Sequence, residues 1–466
     1  AIYGFATTLM GLPDDRLGVV AVATKDCANP VVDRIAQAAL RMMRAKKSGQ
    51  PLPAPEVTAP LERAAARRLA GRYALGEKVV ELVERKGELY MTRTGDDQRL
   101  RLRALGDGLV TDGANGYGLE VQAARERVSL GGETFLRVEP PAPPPVPDAW
   151  RGLIGEYGWD HNTLFVYEHE GKLHALIEWF TAYPLEETGK DSFRFPDRGL
   201  YAGEPVVFAR DASGRATRVN AANVVFERRA VGPAGGATFR IDPVRPVPVL
   251  RREALAARPP AEKGEFREAD LVELATLDPS IKLDIRYATA DNFLGTPVYT
   301  EARAFLQRPA AAALVRAHRR VSEKGYGLLV HDGYRPWYVT RVFWDATPPE
   351  GRIFVADPAQ GSRHNRGCAV DLTLYERGSG RPVEMPGVYD EQSPRSFPDY
   401  PGGTTKQRRL REILRWAMEE EGFEVYDFEW WHFDYKDWRS YPILNLAFDR
   451  IAGGSARPEG PRPRRE

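Results

Sequence analysis

Cysteine is nearly absent from the chain, with only two among 466 residues. Cys27 and Cys368 lie far apart in sequence, so they provide neither a disulfide framework nor the paired spacing of a zinc knuckle. Long apolar runs are also missing, and no stretch of about 18 residues predicts a transmembrane helix. The formal net charge of +1 gives no electrostatic reason to expect nucleic acid or an anionic membrane as a partner.

The composition is that of a globular protein, with 42% hydrophobic and 28% charged residues. A chain of this length predicts roughly two to four domains. The first residue is not methionine, no signal peptide is visible, and the run from Ile2 to Met10 begins as if inside a domain. We therefore expect the natural chain to extend further upstream.

Residues 1–48 predict two short strands followed by a helix. The strands are Tyr3–Met10 and Leu17–Thr24, and Val31–Met43 has apolar residues at helical spacing. The run YGFATTLMGLPDDRLGVVAVATKDCAN resembles the C-terminal end of serine β-lactamase-like hydrolases. The Ser-x-x-Lys and Tyr-x-Asn motifs of that family are absent, so this remnant is not expected to catalyse acyl transfer on its own.

An internal repeat marks the β-rich stretch that follows the proline-rich residues 50–60. The sequence Leu-Ala-Gly-Arg-Tyr at 69–73 returns as Leu-Ile-Gly-Glu-Tyr at 153–157, and Gly-Glu-Leu at 87–89 returns as Gly-Lys-Leu at 171–173. Both pairs have the same offset, 153 − 69 = 171 − 87 = 84 residues, so the register is kept without a gap. Such regular spacing indicates a duplicated structural unit.

We interpret the repeat as two consecutive antiparallel β modules, residues 60–139 and 150–246, joined by the proline-rich residues 140–147. They resemble the lipocalin-like modules that are often appended to β-lactamase-like hydrolases. A spacer or packing role is favoured for them, and a wall- or peptide-binding role stays open. We interpret the proline-rich residues Pro243–Pro260 as a second connector. Residues Gly453–Glu466 are expected to form a disordered tail.

The chemistry-bearing motifs begin after about residue 262. Polar residues there are grouped into four short motifs among aromatic residues. The four motifs are GYRP at 333–336, SRHNRGCAVD at 362–371, MPGVYDE at 385–391 and EWWH at 429–432.

Two of these motifs together predict a catalytic zinc site. Such a site needs about three protein ligands from His, Cys, Asp or Glu and one open position. His364 lies seven residues before Asp371, and Gly367 between them permits a tight turn that brings the two together. His432 would come from a second strand, Phe428–Tyr435, whose aromatic and polar side chains alternate.

Two further residues complete a hydrolytic site. Glu429, three residues before His432, can act as a general base for the attacking water. Arg335 can stabilise an oxyanion, because its guanidinium does not lose its proton. Arg335 also has a structural interpretation, as one partner of an ion pair. Trp430 and Trp431, which follow Glu429, could be core residues. The occurrence of the candidate ligands, Glu429 and Arg335 within about 100 residues favours the catalytic interpretation.

The remaining candidate ligands have structural interpretations. Cys368 follows Gly367 directly and is expected to face the core rather than a metal. A structural role is expected for His331. His161, His169 and His174 have spacings of eight and five residues that suit no single metal geometry, and we expect them at the surface.

A helix is predicted over residues 406–421. Thr404 or Thr405 suits its N-cap, and Gly422 suits the position after its end. Its apolar face would pack on the sheet that carries the metal ligands.

The C-terminal region, about residues 265–450, resembles the VanX-type D-alanyl-D-alanine dipeptidases of the zinc D,D-peptidase family. The order and spacing fit the family pattern SxHxxGxAxD followed by ExWH. The resemblance extends through DIRYATADNFLG, GYGLLVHDGYRP, SRHNRGCAVDLTLY, MPGVYDEQSPRS and RRLREILRWAMEEEGFEVYDFEWWHFDY.

This resemblance implies one zinc ion per chain, bound by His364, Asp371 and His432. It implies that Glu429 is the catalytic base and that Arg335 stabilises the transition state.

The resemblance also suggests that Ser362 and Asp390 lie near the substrate ammonium and that Tyr287 lines the pocket. Asp390 has an independent argument, because a buried α-ammonium must be paired with an opposite charge.

The fold class expected is therefore multidomain: a β-lactamase-like remnant at 1–48, two antiparallel lipocalin-like β modules, and an α+β zinc D,D-peptidase domain at 262–450. The leading function is hydrolysis of free D-Ala-D-Ala in bacterial cell-wall metabolism, in glycopeptide resistance or D-alanine recycling. Two alternatives stay open: a zinc D,D-carboxypeptidase for longer peptidoglycan peptides, and a non-catalytic wall-binding protein. An extracytoplasmic location is favoured, the cytoplasm is not excluded, and the oligomeric state is open.

Overall fold

The computed structural model describes the chain as two compact units, Ala1–Ala142 with Leu176–Pro184, and Pro143–Ala175 with Leu185–Glu466. The described residues are 4–25, 28–96, 98–177, 181–233 and 236–451. Cys27 and the predicted tail at 453–466 lie outside them. Within these ranges, no helix combines the length and apolar character needed to cross a membrane.

The first unit opens with a β-hairpin and a helix. Strand β1 (Ala6–Leu12) pairs antiparallel with β2 (Leu17–Ala23), and α1 (Asn29–Lys47) packs against the hairpin through small and apolar side chains. Pro30 lies in the first turn of α1, where a missing N–H costs no helical hydrogen bond. The predicted order of two strands and a helix is confirmed, and the helix extends beyond Val31–Met43 at both ends.

A closed barrel follows in the first unit. Its elements are α2 (Arg63–Leu69), β3 (Gly71–Leu75), β4 (Lys78–Arg85), β5 (Glu88–Arg93), β6 (Leu100–Leu105), β7 (Gly108–Gly113), β8 (Gly116–Ala124), β9 (Arg127–Leu130) and β10 (Glu133–Val138). The eight strands pair antiparallel in sequence order, and β10 closes on β3. Apolar side chains such as Tyr73, Leu82 and Met91 are buried in its core. The interior is packed, and the likeness to lipocalins stays a prediction.

The second β module has a different arrangement. Its elements are α3 (Asp148–Arg151), β11 (Gly155–Trp159), β12 (Asn162–His169), β13 (Lys172–Ile177), β14 (Thr181–Pro184), β15 (Glu186–Gly189), β16 (Ser192–Arg194), β17 (Pro205–Arg210), β18 (Ala216–Ala221) and β19 (Val224–Glu227). In the second unit, β11 pairs antiparallel with β12, and β15 to β19 form a five-stranded antiparallel sheet in sequence order. The strands therefore belong to separate sheets here, although the two modules share the sequence repeat.

The two copies of the sequence repeat share one set of contacts. Tyr73 and Tyr157 are both fully buried, and each hydroxyl donates to the carbonyl oxygen four residues earlier, at 2.7 and 2.6 Å. An arginine guanidinium donates to each hydroxyl in turn, Arg137 at 3.1 Å and Arg228 at 2.8 Å. The buried tyrosine is thus anchored in the same way in both copies.

The C-terminal region is an α+β fold around a mixed sheet. Its elements are α4 (Val247–Ala256), β20 (Leu271–Glu273), α5 (Leu274–Leu277), β21 (Lys282–Leu283), β22 (Phe305–Gln307), α6 (Arg308–Glu323), β23 (Tyr326–Asp332), α7 (Trp337–Ala346), β24 (Ala369–Glu376), α8 (Thr405–Glu419), β25 (Phe423–Tyr426) and β26 (Glu429–Tyr435). The main sheet has the order β21-β23-β24-β26-β25, with β21 parallel to β23 and the other pairs antiparallel. The predicted multidomain, β-rich and α+β architecture is confirmed at this level.

The predicted connector Pro243–Pro260 contains a helix, α4, that the sequence analysis did not predict. Pro246 is the N-cap of α4, and a second proline follows in the first turn, where neither breaks a helical hydrogen bond. Leu250 and Ala254 are fully buried, and α4 packs against α7. Prolines at the start of a helix give the sequence the same proline-rich composition as a linker.

Helix α8 is anchored both by its own cap and by the second β module. Thr404 and Gln407 form the capping box, and Gly422 adopts a positive φ of 86° after the helix. The buried Glu168 carboxylate of β12 accepts the backbone N–H of Thr405 at 2.8 Å. A carboxylate at this helix end also interacts favourably with the helix dipole. Helix α8 packs on β24, β25 and β26, as predicted.

We expect Glu168→Ala to destabilise the second unit by about 1–3 kcal/mol, because it leaves two partly buried N–H groups without this acceptor. The affected groups are the N–H of Thr405 and the N–H of Gly171, which donates to Glu168 at 2.7 Å. Urea unfolding followed by tryptophan fluorescence measures the loss. Glu187→Ala, which removes an exposed carboxylate of β15, is the control. Equal unfolding midpoints for both variants would contradict the assignment.

Candidate active site

The three predicted metal ligands meet at one point of the main sheet. His364 opens a short 3-10 turn, His364–Arg366, while Asp371 and His432 are direct cross-strand partners on β24 and β26. His364 Nε2 lies 3.0 Å from His432 Nδ1 and 3.3 Å from Asp371 Oδ1. His432 Nδ1 lies 3.0 Å from the same carboxylate oxygen. All three side chains are buried, and their ligand atoms lie within 4.8 Å of one another.

Gly367 makes the approach of His364 to Asp371 possible. It ends the 3-10 turn with a left-handed φ of 66°. A Cβ at this position would stand 2.5 Å from Leu271 Cδ2, so only glycine fits both the conformation and the space. The predicted role of this glycine is confirmed.

Hydrogen bonds orient both imidazoles toward the same point. His364 Nδ1 lies 2.7 Å from the carbonyl oxygen of Gly333, which makes Nδ1 the donor and leaves the Nε2 lone pair directed at Asp371. His432 Nε2 lies 3.0 Å from Asp434 Oδ1, which leaves Nδ1 directed at the same oxygen. When His432 is neutral, two imidazole lone pairs and the Asp371 carboxylate face one point at short range. This donor set fits a divalent metal that accepts nitrogen and oxygen ligands, such as zinc.

The charges of the site are strongly coupled. Burial alone would raise the pKa of Asp371, but the two imidazoles outweigh burial and hold that pKa well below its usual range. Burial opposes the charged form of His432, yet Asp434 and Asp371 raise its pKa to about 10. The site therefore stabilises an anionic carboxylate together with a positive charge between the three ligands.

Glu429 begins β26 beside the ligands. Its Oε2 lies 3.7 Å from His432 Nδ1. Burial raises the pKa of Glu429 to about 7, against the opposing charge of His432 and with a further contribution from Asp371. A carboxyl group with a pKa near neutrality can both accept and return a proton.

Arg335 is held by the sheet that carries the ligands. Its Nε donates to Asp332 Oδ2 at 2.8 Å, and its Nη2 lies 3.5 Å from Asp371 Oδ2. Asp332 is fixed in turn by the Tyr299 hydroxyl at 2.7 Å. The guanidinium also lies over the Phe343 ring, 4.8 Å from its centroid. Arg335 therefore forms an ion pair, and this ion pair leaves the guanidinium at the wall of the site.

A small pocket of about 110 Å³ opens in front of the ligands. The three ligands and the predicted residues Tyr287, Arg335, Ser362, Asp390 and Glu429 all line it.

Asp390 lies half-buried in the pocket wall. Its Oδ1 accepts the Tyr287 hydroxyl at 2.9 Å, while Oδ2 is buried and has no hydrogen-bond partner among the described residues. Burial raises its pKa well above the usual range, with Asp371 adding to the effect. The backbone at Asp390 has a strained, left-handed φ of 61°. Ser362, on the other side, accepts the His364 N–H at 3.2 Å.

Three residues of the site were not predicted from the sequence. Asp332 fixes Arg335, Asp434 orients His432, and the Tyr389 hydroxyl donates to Asp371 Oδ2 at 3.1 Å. Each had a local signal. Asp332 lies three residues before Arg335. Asp434 is on the same strand face as His432, and Tyr389 is next to Asp390.

The remaining histidines and the cysteine do not join the metal site. Cys368 is fully buried in the core, as expected. His331 is buried, as its expected structural role requires, and stacks on Tyr389 with a centroid distance of 4.4 Å. The expectation of surface histidines holds for His161, which is exposed, and fails for His174, which is half-buried with a pKa lowered to about 4 by burial and by His169.

The region that contains this site matches one family of known proteins. The peptidase M15 family model, described as D-Ala-D-Ala dipeptidase, matches residues 267–448. The D-alanyl-D-alanine dipeptidase of Escherichia coli (strain K12) is 35% identical over 175 residues, which are 38% of this chain and 89% of that protein. The dipeptidases of Enterococcus faecium and Streptomyces coelicolor are 36% and 35% identical, and this chain covers 91% and 93% of them. These matches occupy 36% and 37% of the present chain.

We expect Asp434→Ala to weaken the binding of a divalent metal about 10- to 100-fold, because His432 loses the acceptor that fixes its orientation. The dissociation constant for zinc, measured in competition with a chelator, gives the change. Asp437→Ala is the control, since Asp437 lies on the same segment but pairs with Arg267 instead of a ligand. An affinity equal to that of the control would show that Asp434 does not orient the ligand.

Proposed function

The chain belongs to the D-Ala-D-Ala dipeptidase family of metallopeptidases, and from this premise we propose that it is a zinc-dependent hydrolase of free D-alanyl-D-alanine. One observation carries the proposal. The convergent donors of His364, Asp371 and His432 share a small pocket with Asp390, whose buried carboxylate oxygen has no hydrogen-bond partner among the described residues. A metal site and a buried anion in one pocket suit a short substrate with a charged amino end.

The proposed ligands are His364, Asp371 and His432, with one zinc ion per chain. Zinc bound there would act as a Lewis acid and activate water for attack at neutral pH. The chain's own contribution is to fix both imidazole tautomers, through the carbonyl oxygen of Gly333 and through Asp434.

Glu429 is the proposed general base. It would accept a proton from the attacking water and then donate that proton to the leaving amine. Its raised pKa of about 7 supports both halves of this role, because neither protonation state is strongly favoured near neutral pH.

Arg335 is proposed to stabilise the negative charge that develops on the scissile carbonyl oxygen. Its ion pair with Asp332 fixes the guanidinium before substrate arrives, so little reorganisation is needed in the transition state. The ring of Phe343 beneath it excludes water from one face.

Asp390 is proposed to pair with the α-ammonium of the dipeptide. Its Oδ1 is engaged by Tyr287, and Oδ2 is the oxygen left for the ligand. Ser362 lines the same pocket and is the proposed polar neighbour of that ammonium. An acylated amino end would bring no charge to Asp390, so preference for the free dipeptide follows from this pairing.

A role in bacterial cell-wall metabolism is part of the proposal. D-Ala-D-Ala ends the peptide of wall precursors, and an enzyme that removes the free dipeptide limits its supply. The β-lactamase-like resemblance of residues 1–48 points to the same D-alanyl chemistry.

We expect Glu429→Gln to lower kcat about 10²- to 10⁴-fold, because the amide cannot accept the proton of the attacking water. Release of D-alanine from D-Ala-D-Ala with zinc measures the activity, and metal content is measured on the same sample. Glu424→Gln, on the neighbouring strand β25 with an exposed side chain, is the control. Full activity of Glu429→Gln with bound zinc would exclude this base.

We expect the unmodified protein to prefer D-Ala-D-Ala over N-acetyl-D-Ala-D-Ala and Asp390→Asn to lose most of that preference. Removing one partner of a buried charge pair costs roughly 2–5 kcal/mol, so KM for the free dipeptide should rise at least tenfold. Comparing kcat and KM for both substrates tests this. Equal use of both substrates by the unmodified protein would instead support the alternative, a peptidase for longer wall peptides.

A further inference from the structure

The loop that presents Asp390 is closed by a buried ion pair directly after it. Glu391 is fully buried, and its carboxylate accepts the Val388 N–H at 3.0 Å. Arg395 donates to both oxygens of Glu391, at 2.6 and 2.7 Å. Bidentate pairs of this kind are geometrically specific, so the position of Asp390 depends on how this pair is held.

Backbone from the second β module lies directly on that ion pair. Gly232 follows β19 and has a left-handed φ of 63°. A Cβ at this position would stand 2.1 Å from Glu391 Oε1 and 2.2 Å from Arg395 Nη2. The bare glycine backbone therefore covers the pair, and any side chain there would have to displace it.

The segment that leads to Gly232 is attached to Glu156 on β11 through Arg229. Arg229 donates its backbone N–H to the carbonyl oxygen of Glu156 at 2.9 Å, and its Nε lies 3.4 Å from Glu156 Oε2. Glu156 is buried. Burial raises its pKa, while Tyr400, Arg229 and Arg395 oppose the rise. One carboxylate of the module thus interacts with the covering segment and with the loop it covers.

The far end of the same loop is attached to the module as well. The Phe165 ring of β12 meets the Tyr400 ring edge-on, with centroids 6.0 Å apart. The Glu168 N–H donates to the carbonyl oxygen of Gly403 at 3.1 Å. Contacts from the module therefore bracket the loop between Glu391 and the start of α8.

We propose that the second β module is a specificity element of the peptidase, in which Glu156 and Gly232 are positioning residues that hold Asp390 through the Glu391–Arg395 pair. This inference rests on the proposed function, because Asp390 matters only if it meets a substrate ammonium. Both positioning residues lie outside the matched residues 267–448, so they are additional to the part shared with the family model.

Gly232→Ala tests the proposal, with Gly236→Ala as a matched control. Gly236 lies on the same segment with a similar φ of 73°, but a Cβ there meets no heavy atom within 4 Å. Both variants place alanine at a positive φ of similar size. Only the new Cβ of Gly232→Ala would contact the Glu391–Arg395 ion pair. We expect Gly232→Ala to raise KM for D-Ala-D-Ala roughly 10- to 100-fold, since small displacements of a substrate-holding group have effects of that size.

The kinetic pattern separates positioning from general damage. We expect kcat with D-Ala-D-Ala and zinc content to change less than threefold in Gly232→Ala, and kcat/KM for N-acetyl-D-Ala-D-Ala to stay the same. Selectivity for the free amine then falls, while Gly236→Ala retains it. Glu156→Gln, which keeps shape and removes charge, should shift selectivity in the same direction by a smaller factor. Loss of both activities in parallel with zinc would overturn the proposal.

Hydrogen exchange provides a readout that does not depend on activity. The N–H groups of Val388 and Ser396 are bonded within the loop, the latter to the carbonyl oxygen of Ser393 at 3.0 Å. We expect them to exchange faster in Gly232→Ala than in Gly236→Ala. Equal exchange and equal KM in the two variants would overturn the proposal. If the unmodified, zinc-loaded protein does not cleave D-Ala-D-Ala, the proposed function fails, and exchange alone decides whether the module holds the loop.

Discussion

Asp371 and His432 are direct cross-strand partners on β24 and β26, and the other groups of the site take their positions from this register. A shift of one residue would turn one of the two side chains to the opposite face of the sheet. The turn before β24 brings His364 to the same point, and the start of β26 places Glu429 beside it. Helix α8 packs on both strands and stabilises that register.

Burying so many ionisable groups requires that each has a partner. Asp332, Arg335, Asp371 and Asp390 are all withdrawn from water within one small region. Such groups cost several kcal/mol each when left alone, so the hydrogen bonds among them are a condition for folding. Among these groups, Asp390 has a carboxylate oxygen without a hydrogen-bond partner in the described residues. We therefore expect ligand selectivity to depend on Asp390.

The metal ligands and Glu429 could be predicted from the sequence because their spacing is short and their chemistry specific. Asp332, Asp434 and Tyr389 lie next to predicted residues in the sequence, but only the folded geometry shows which group each of them contacts. Helix α4 was missed because prolines at a helix start look like a linker. The split of the second module into separate sheets could not be predicted, since both modules carry the same repeat. The contact of Glu168 with Thr405 joins positions 237 residues apart, beyond the reach of any sequence motif.

Glu84 and Glu168 occupy equivalent places in the two copies of the repeat, but their carboxylates have different partners. In the first copy, Glu84 accepts the Gly87 N–H and lies 3.6 and 3.7 Å from two arginines of α2, so its charge is satisfied within its own unit. In the second copy, the matching carboxylate accepts the Gly171 N–H in the same way but also caps α8. The repeat thus offers the same carboxylate twice, and only the second copy uses it to hold a helix outside its own module. Removal of that module would therefore leave the Thr405 N–H at the start of α8 without this acceptor.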